Sequence, residues 1–324
     1  MISKHLIPIT EHKEIIDFAD KQLKIFWLPD EINVEKDIQD IRVNLTEAER
    51  HGVITTLKLF TLYETHAGSE YWGSRFRTFF NGAEFERMAS VFSMFELAVH
   101  APFYNKINQL LHLDNEQFYM SYLQNPLLKE RIDFIGSYIN DSDPLMSLAV
   151  FSLVEGVILY SNFAFLKHYQ SQGKNSMMNI VRGINFSVRD ENLHSAAGAW
   201  CFRLKMQDAS PDENVFYENR IKRIAEKIYE HECGIIDMIF EKGEIKGITA
   251  HQLRCFVQSR INECLKQLGF DKLYDVKYDP ISSWFYKGIN NYQFNDFFAG
   301  QSREYHRNWD EASFKWKKDV ENVI

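Results

Sequence analysis

Apolar positions recur along most of this chain at the three-to-four-residue spacing of amphipathic helices, and caps, prolines and glycines separate the runs. Thr46 and Glu49 form a T-x-x-E capping box that opens a long helix to about Phe80, where Asn81-Gly82 breaks it. A second helix is predicted from about Glu84 to Leu111. Asp143-Pro144 sets a cap before a first-position proline and opens a helix to about Gln170, closed by Gly173-Lys174-Asn175. The next covers about Ser176 to Met206. Ser210-Pro211-Asp212-Glu213 starts one that ends at Gly243, and Thr249 to Gln252 opens the last, stopped at Gly269.

Strand signals are nearly absent, so the expected fold class is all-α: a helix bundle with additional helices. The first 40 residues and the stretch from about Asp271 onward read as irregular N- and C-terminal segments that wrap it. Nothing invites a domain boundary, and residues 1–324 are expected to form a single domain. Tyr305 to Ile324, charged with scattered aromatics, read as a mobile tail.

Composition narrows the function. A net charge of −8 argues against nucleic acid, whose phosphates require a basic face. Cys201, Cys233, Cys255 and Cys264 show no C-x-x-C spacing and read as free thiols of a cytoplasmic protein. The start, MISKHLIPITEHKE, has no apolar core of a signal peptide. The most apolar stretch, Leu145 to Leu166, carries Ser147, Ser152, Glu155, Ser161 and Asn162. A membrane span tolerates a central glutamate poorly, so this is expected to be a buried core helix.

Four of the predicted helices each place a glutamate where the pattern reads interior: Glu64 in LFTLYETHAGSEYW, Glu96 in VFSMFELAVHAPFY, Glu155 in AVFSLVEGVILYSNFAF and Glu191 in INFSVRDENLHSAAGAW. A buried unpaired carboxylate costs several kcal/mol or takes up a proton. Four in one core call for a shared cationic partner, and two divalent metal ions supply one. His194 lies three residues after Glu191 and His100 four after Glu96, on the same helix faces. Carboxylate-bridged dimetal bundles use this order: a lone Glu, a Glu/His pair, a lone Glu, a Glu/His pair. Oxygen with imidazole donors suits iron or manganese. In the usual Glu-x-x-His register Leu97, not Glu96, would be the ligand; one π-type turn between Glu96 and His100 restores the common register.

Other histidines fit less well. His66 is two residues from Glu64 and off its face, which suits a polar supporting role. His112, His168 and His251 fall near helix ends and read as cap or surface residues, and Glu230-His231-Glu232 as a solvated face.

At these residues the chain resembles the small (R2) subunit of class I ribonucleotide reductase, in the ferritin-like diiron-carboxylate superfamily. KQLKIFWLPDEIN is similar to that family's QL-x-x-FW-x-P-E-E motif, VRDENLH to its ARDE-x-LH, and NDFFAGQSREYHRNW to its NFFE-x-R-x-x-EY segment. The resemblance implies metal ligands at Glu64, Glu96, His100, Glu155, Glu191 and His194, and a radical-bearing tyrosine at Tyr104. It implies an electron and proton route toward the large subunit through Trp27 and Asp190, with His100 linking them to the metal. The cofactor would be two metal ions per chain: iron first, with manganese or a mixed manganese–iron pair as alternatives. The implied partners are the large catalytic subunit, a second copy of the chain, and a flavodoxin-like activase if manganese is loaded. The nucleotide site would lie on the large subunit, in keeping with the lack of a Gly-rich phosphate loop.

The chain departs from the family pattern at three places: Glu64 stands where many members have aspartate, Glu96 is in an unusual register, and no tyrosine follows Tyr305. Either Tyr305, Trp309 or Trp316 takes the tail relay, or the relay differs, or the tail is shortened. A second reading, an R2-like oxidase acting on a bound small molecule, predicts an apolar cavity opening on the metals from the Glu155 helix. Bulky Leu159, Tyr160 and Phe163 argue instead for a filled site.

Overall fold

The computed structural model describes residue 7 and residues 9–287, residue 172 apart. The NDFFAGQSREYHRNW motif and the tail candidates Tyr305, Trp309 and Trp316 lie outside the described residues. Within them the chain is helix and turn, with no strand.

Helix α1 (Lys13–Lys24) buries Ile15, Ala19 and Gln22, one helical face, against a later helix. The first 40 residues, expected to be irregular, therefore hold a helix; two 3-10 turns at Pro29–Glu31 and Val34–Asp37 follow it. Helix α2 (Glu47–Thr65) starts at the expected capping box: Thr46 Oγ1 accepts from the Glu49 N–H, and the Glu49 carboxylate accepts from the Thr46 N–H. It continues as a wide π-helical stretch, His66–Arg75, to the break at Asn81-Gly82. Helix α3 (Ala83–Phe95) runs through a π turn at Glu96–His100 into α4 (Ala101–Leu110), so the one expected helix is two registers of a single rod.

Helices α5 (Glu116–Gln124) and α6 (Pro126–Ile139) are additions to the sequence reading. Their signals are present in Asn115, Asn125 and Pro126, where the asparagine side chains accept from the first-turn N–H groups.

The expected helix from Asp143 to Gln170 is broken. Helix α7 (Pro144–Val157) ends at Ile158, Leu159 turns left-handed at φ 75°, and α8 (Tyr160–Lys167) starts anew. Such a conformation at a bulky residue costs about 1–3 kcal/mol and persists only where surroundings enforce it. Every residue of α7 from Met146 to Val157 is buried. Taken together, Pro144–Gln170 is long and apolar enough to cross a membrane, yet its apolar window is wholly buried inside the fold.

Helices α9 (Met178–Met206), α10 (Pro211–Ile239) and α11 (Ala250–Leu268) follow the predicted bounds closely, with capping boxes at Ser210 and Thr249 and Gly269 closing α11 at φ 92°. Helix α7 packs chiefly on α9 and α11, α2 on α4, and α3 on α1 and the π stretch. At Gly183 on α9 a side chain would collide with the Phe103 ring. Only glycine lets that ring sit where it touches Trp27 and Tyr104, at centroid distances of 5.4 and 5.1 Å.

Two surface assignments are corrected. Glu232 is fully buried and pairs with buried Arg131 at 2.6 Å, while the Ser161 hydroxyl donates to its second oxygen; His231 is buried beside them. The triplet's polarity hid this, because its partners come from distant α6 and α8. His168 is also buried, and burial pushes its pKa down to about 4. Removing one partner of a buried ion pair strands the other charge, so Glu232→Ala should lower the unfolding free energy by about 3–5 kcal/mol in chemical denaturation.

Candidate metal centre

Glu64 stands in the last turn of α2, Glu96 and His100 at the two ends of the π turn, Glu155 near the end of α7, and Glu191 and His194 mid-way along α9. The structure brings all six together. None is more than 5% exposed. Glu64, Glu96, His100 and Glu191 offer one set of four donor atoms mutually within 4.8 Å; Glu96, Glu155, Glu191 and His194 offer another. Glu96 and Glu191 belong to both sets, so the two sets adjoin and share two carboxylates.

Glu96 reaches this centre because the π turn adds a residue to the helical repeat and swings it inward. Its Oε2 lies 3.1 Å from His100 Nδ1 and its Oε1 2.7 Å from His194 Nδ1. Leu97, in the usual register, is 41% exposed and points away. His100 Nδ1 also lies 3.1 Å from Glu191 Oε1 and 3.4 Å from Glu64 Oε2. His194 Nδ1 is 3.6 Å from Glu191 Oε2.

The donor set fits a pair of cations. Glu64 Oε1, Glu96 Oε1, Glu191 Oε1 and His194 Nδ1 are buried without a hydrogen bond, although several lie close together. Buried polar atoms left unpaired in one space are what bound cations would satisfy. The electrostatics agree. Burial first, then the charge of Glu96, holds Glu64 well above the usual carboxylate range, and burial with Glu191 does the same to Glu155. Burial opposes ionisation of Glu96 too, but the two imidazoles and Glu64 bring its pKa far down. Burial likewise disfavours charge on His100 and His194, yet Glu96 and the other carboxylates raise both well above the ordinary histidine value. The cluster thus gathers positive charge wherever it can.

On the far side of His100, its Nε2 lies 3.1 Å from Asp190 Oδ2, and the Trp27 indole N–H donates to that same oxygen at 2.8 Å. Trp27 stacks near His100 with centroids 6.0 Å apart, and both rings are fully buried. Trp27, Asp190 and His100 therefore form one continuous chain of contacts. Tyr104 is fully buried and stacked on Phe60 at 4.4 Å. Burial and then the negative charge of Glu64 push its pKa well above the phenol range, against the pull of His100 and Ser187.

Sequence reasoning passed over Trp72, whose N–H donates to Glu155 Oε1 at 2.7 Å. A buried indole needs an acceptor, which was the available signal. His66 sits off the Glu64 face as expected, paired with Glu70 at 3.1 Å on the rim of a small cavity that reaches Glu64, Glu155 and Glu191. That cavity holds about 20 Å³ and is otherwise walled by residues such as Phe151, Val154, Ile158 and Leu159. It admits about one water. An organic substrate beside the carboxylates, as the oxidase reading requires, has no room.

Residues 5–280 match the family model described as ribonucleotide reductase, small chain. The chain is 26% identical over 296 residues to the ribonucleoside-diphosphate reductase subunit beta of Treponema pallidum, covering 86% of this chain and 81% of that one. It is 25% identical over 316 residues to small subunit 048L of Invertebrate iridescent virus 3, covering 91% and 82%. Among solved structures, the dimanganese(II) NrdF of Streptococcus sanguinis aligns with a TM-score of 0.76 at 22% identity, over 87% of this chain and 97% of that one. A family match that runs through every helix carrying the six donors, with the buried centre those donors form, makes this chain a member of the ribonucleotide reductase small-chain family, the radical-generating subunit that works with a large catalytic subunit to reduce ribonucleotides.

Proposed function

We propose that Glu64, Glu96, His100, Glu155, Glu191 and His194 hold two metal ions, iron or manganese, and that Tyr104 is the residue oxidised to a stored radical. The observation that carries this is the pair of donor sets sharing Glu96 and Glu191. Bound there, a redox-active pair activates dioxygen or a reduced oxygen species and supplies the oxidising equivalent. The protein's own part is to place and shield. Glu96 and Glu191 would serve both ions, while Glu64 with His100 and Glu155 with His194 would complete each set. The Trp72 N–H on Glu155 fixes that carboxylate's orientation.

Tyr104 keeps its proton in the ground state, because burial disfavours the phenolate. Its oxidation therefore releases a proton with the electron. Phe60 and Phe103 around the ring exclude water from the radical. Trp27, Asp190 and His100 then carry the equivalent toward the large subunit. Asp190 accepts from the indole N–H on one side and orients the imidazole on the other, so loss of an electron from Trp27 finds a proton acceptor at 2.8 Å.

The same reading carries one functional unit over residues 1–324, a homodimer, a cytoplasmic setting and, for a manganese-loaded centre, a flavodoxin-like activase. The Streptococcus sanguinis relative is a dimanganese(II) protein, which favours testing manganese beside iron.

Tyr104→Phe, loaded with metal and exposed to oxygen, should bind two ions per chain and show no tyrosyl signal in electron paramagnetic resonance; a surviving signal would sink the Tyr104 assignment. Trp27→Phe keeps an aromatic ring, though a smaller one, and loses the N–H donor. It should still form the Tyr104 radical but support nucleotide reduction with the large subunit at least about 100-fold more slowly, on the scale of losing a proton-transfer partner. Because protons compete with metal for the carboxylates and imidazoles, affinity should rise with pH. Calorimetric titration between about pH 6 and about pH 8 should show proton release on binding and tighter binding at the higher value.

A further inference from the structure

Arg260, on α11, is 2% exposed, and among the described residues it forms no ion pair with a carboxylate. Burying a guanidinium is expensive unless its N–H groups are satisfied. Here they are, and the acceptors are informative. Nε and Nη2 both donate to the Gly156 carbonyl, at 3.0 and 2.8 Å, and Nη2 also donates to Asn192 Oδ1 at 3.2 Å. Gly156 follows Glu155 and Asn192 follows Glu191. One cation thus grips the chain one residue beyond each of two metal-binding glutamates, on two different helices.

The break after α7 explains why the Gly156 carbonyl is free to accept. In an unbroken helix it would pair with the Tyr160 N–H, but Leu159 at φ 75° ends that ladder. Ile158 still donates to Val154, and the next bond, Phe163 to Leu159, belongs to α8. Glycine at 156 is required for this approach, since a Cβ there would collide with Cys264 and Ser195 and hold α11 away. Tyr160, the first residue after the break, lies under the guanidinium at 4.0 Å and donates from its hydroxyl to the same Asn192 oxygen. The interrupted end of the Glu155 helix is therefore closed by a side chain from α11 instead of by its own next turn. Ile158 and Leu159, the residues of the break, are also walls of the small cavity beside the carboxylates.

We propose that Arg260 is a positioning residue of the metal centre: it holds Glu155 and Glu191 in register from behind, through the Gly156 carbonyl and Asn192. This rests on the two-metal reading above. Its fourth contact, Nη1 to the Tyr286 hydroxyl at 2.8 Å, ties the last described segment of the chain to the same clamp. Lys167 secures that segment too, donating to the Phe285 carbonyl at 2.8 Å.

The test compares wild type with Arg260→Gln, Arg260→Lys and Asn192→Ala. Manganese(II) binding is followed by the electron paramagnetic resonance of free and bound ion, and melting temperature is measured with and without manganese. A positioning role predicts that Arg260→Gln binds manganese about tenfold more weakly, with an altered bound-ion spectrum and a smaller manganese-induced rise in melting temperature. Arg260→Lys keeps the charge without the bridging fork and should recover fold stability more than metal affinity. Asn192→Ala removes the acceptor that Arg260 and Tyr160 share on α9, leaves the Gly156 contacts in place, and should weaken binding about threefold, half a log unit on the same affinity scale. A merely structural arginine predicts equal losses in melting temperature with and without manganese, and wild-type affinity; that result overturns the proposal. Should Arg260→Gln fail to fold, Asn192→Ala decides, and wild-type affinity and spectrum there overturn the proposal equally. A wild-type chain that takes up no manganese or iron would overturn the two-metal reading itself, a different failure from a metal-binding chain indifferent to Arg260.

Discussion

Four carboxylates closed into one space repel each other, and the architecture around them depends on that repulsion being answered. Two like charges about 4 Å apart oppose each other by on the order of 4 kcal/mol at the effective dielectric of a protein interior. Glu64, Glu96, Glu155 and Glu191 are all within such reach of at least one other. Nothing in the apolar packing of α2, α7 and α9 rewards placing them there. The gathering makes sense only with cations, and the raised histidine pKa values show how strongly the pocket recruits positive charge. The helix bundle is best understood as the frame that holds this tension.

The two sides of the centre are built differently. Toward α6 and the end of α7 lies the small cavity, rimmed by His66 and wide enough for a water. Toward α4 and the N-terminal segment, aromatic rings close every gap: Phe60 on Tyr104, Phe103 between Tyr104 and Trp27, Phe186 against Trp27. On the reading proposed above, small reactants would approach from one side and a radical on Tyr104 would be sheltered on the other. Gly183 is what permits the second arrangement, because a methyl group there would displace Phe103 from both neighbours.

The fold was legible because its helices carry their punctuation. The boxes at Thr46, Ser210 and Thr249 are local chemistry, and each forms as written. The six donors were legible for another reason: a glutamate inside an apolar run contradicts its surroundings and asks for an explanation. What stayed hidden depends on contacts between distant segments. Glu232 looks solvated beside Glu230 and His231 until Arg131 of α6 closes on it. Leu159 has no sequence feature that announces a left-handed turn, since the clamp enforcing it comes from Arg260, about a hundred residues later. Trp72 and Ser187 belong to the site only through packing of the π stretch and α9.

The π turn at Glu96–His100 has a bearing on how this rod can change. Upstream, α3 presents Phe85, Met88, Ala89, Phe92 and Phe95 to the core; downstream, α4 presents Phe103, Tyr104, Ile107 and Asn108. The two stripes are out of phase by one residue, and the wide turn absorbs the difference. Losing one residue between Leu97 and Val99 would bring the two stripes into phase in an unbroken α-helix and set Glu96 three residues before the histidine. Phe103 and Tyr104 would keep facing the core together, along with His100. The turn thus makes room for a residue that an unbroken helix would not hold, and no side chain between Leu97 and Val99 is among the six donors.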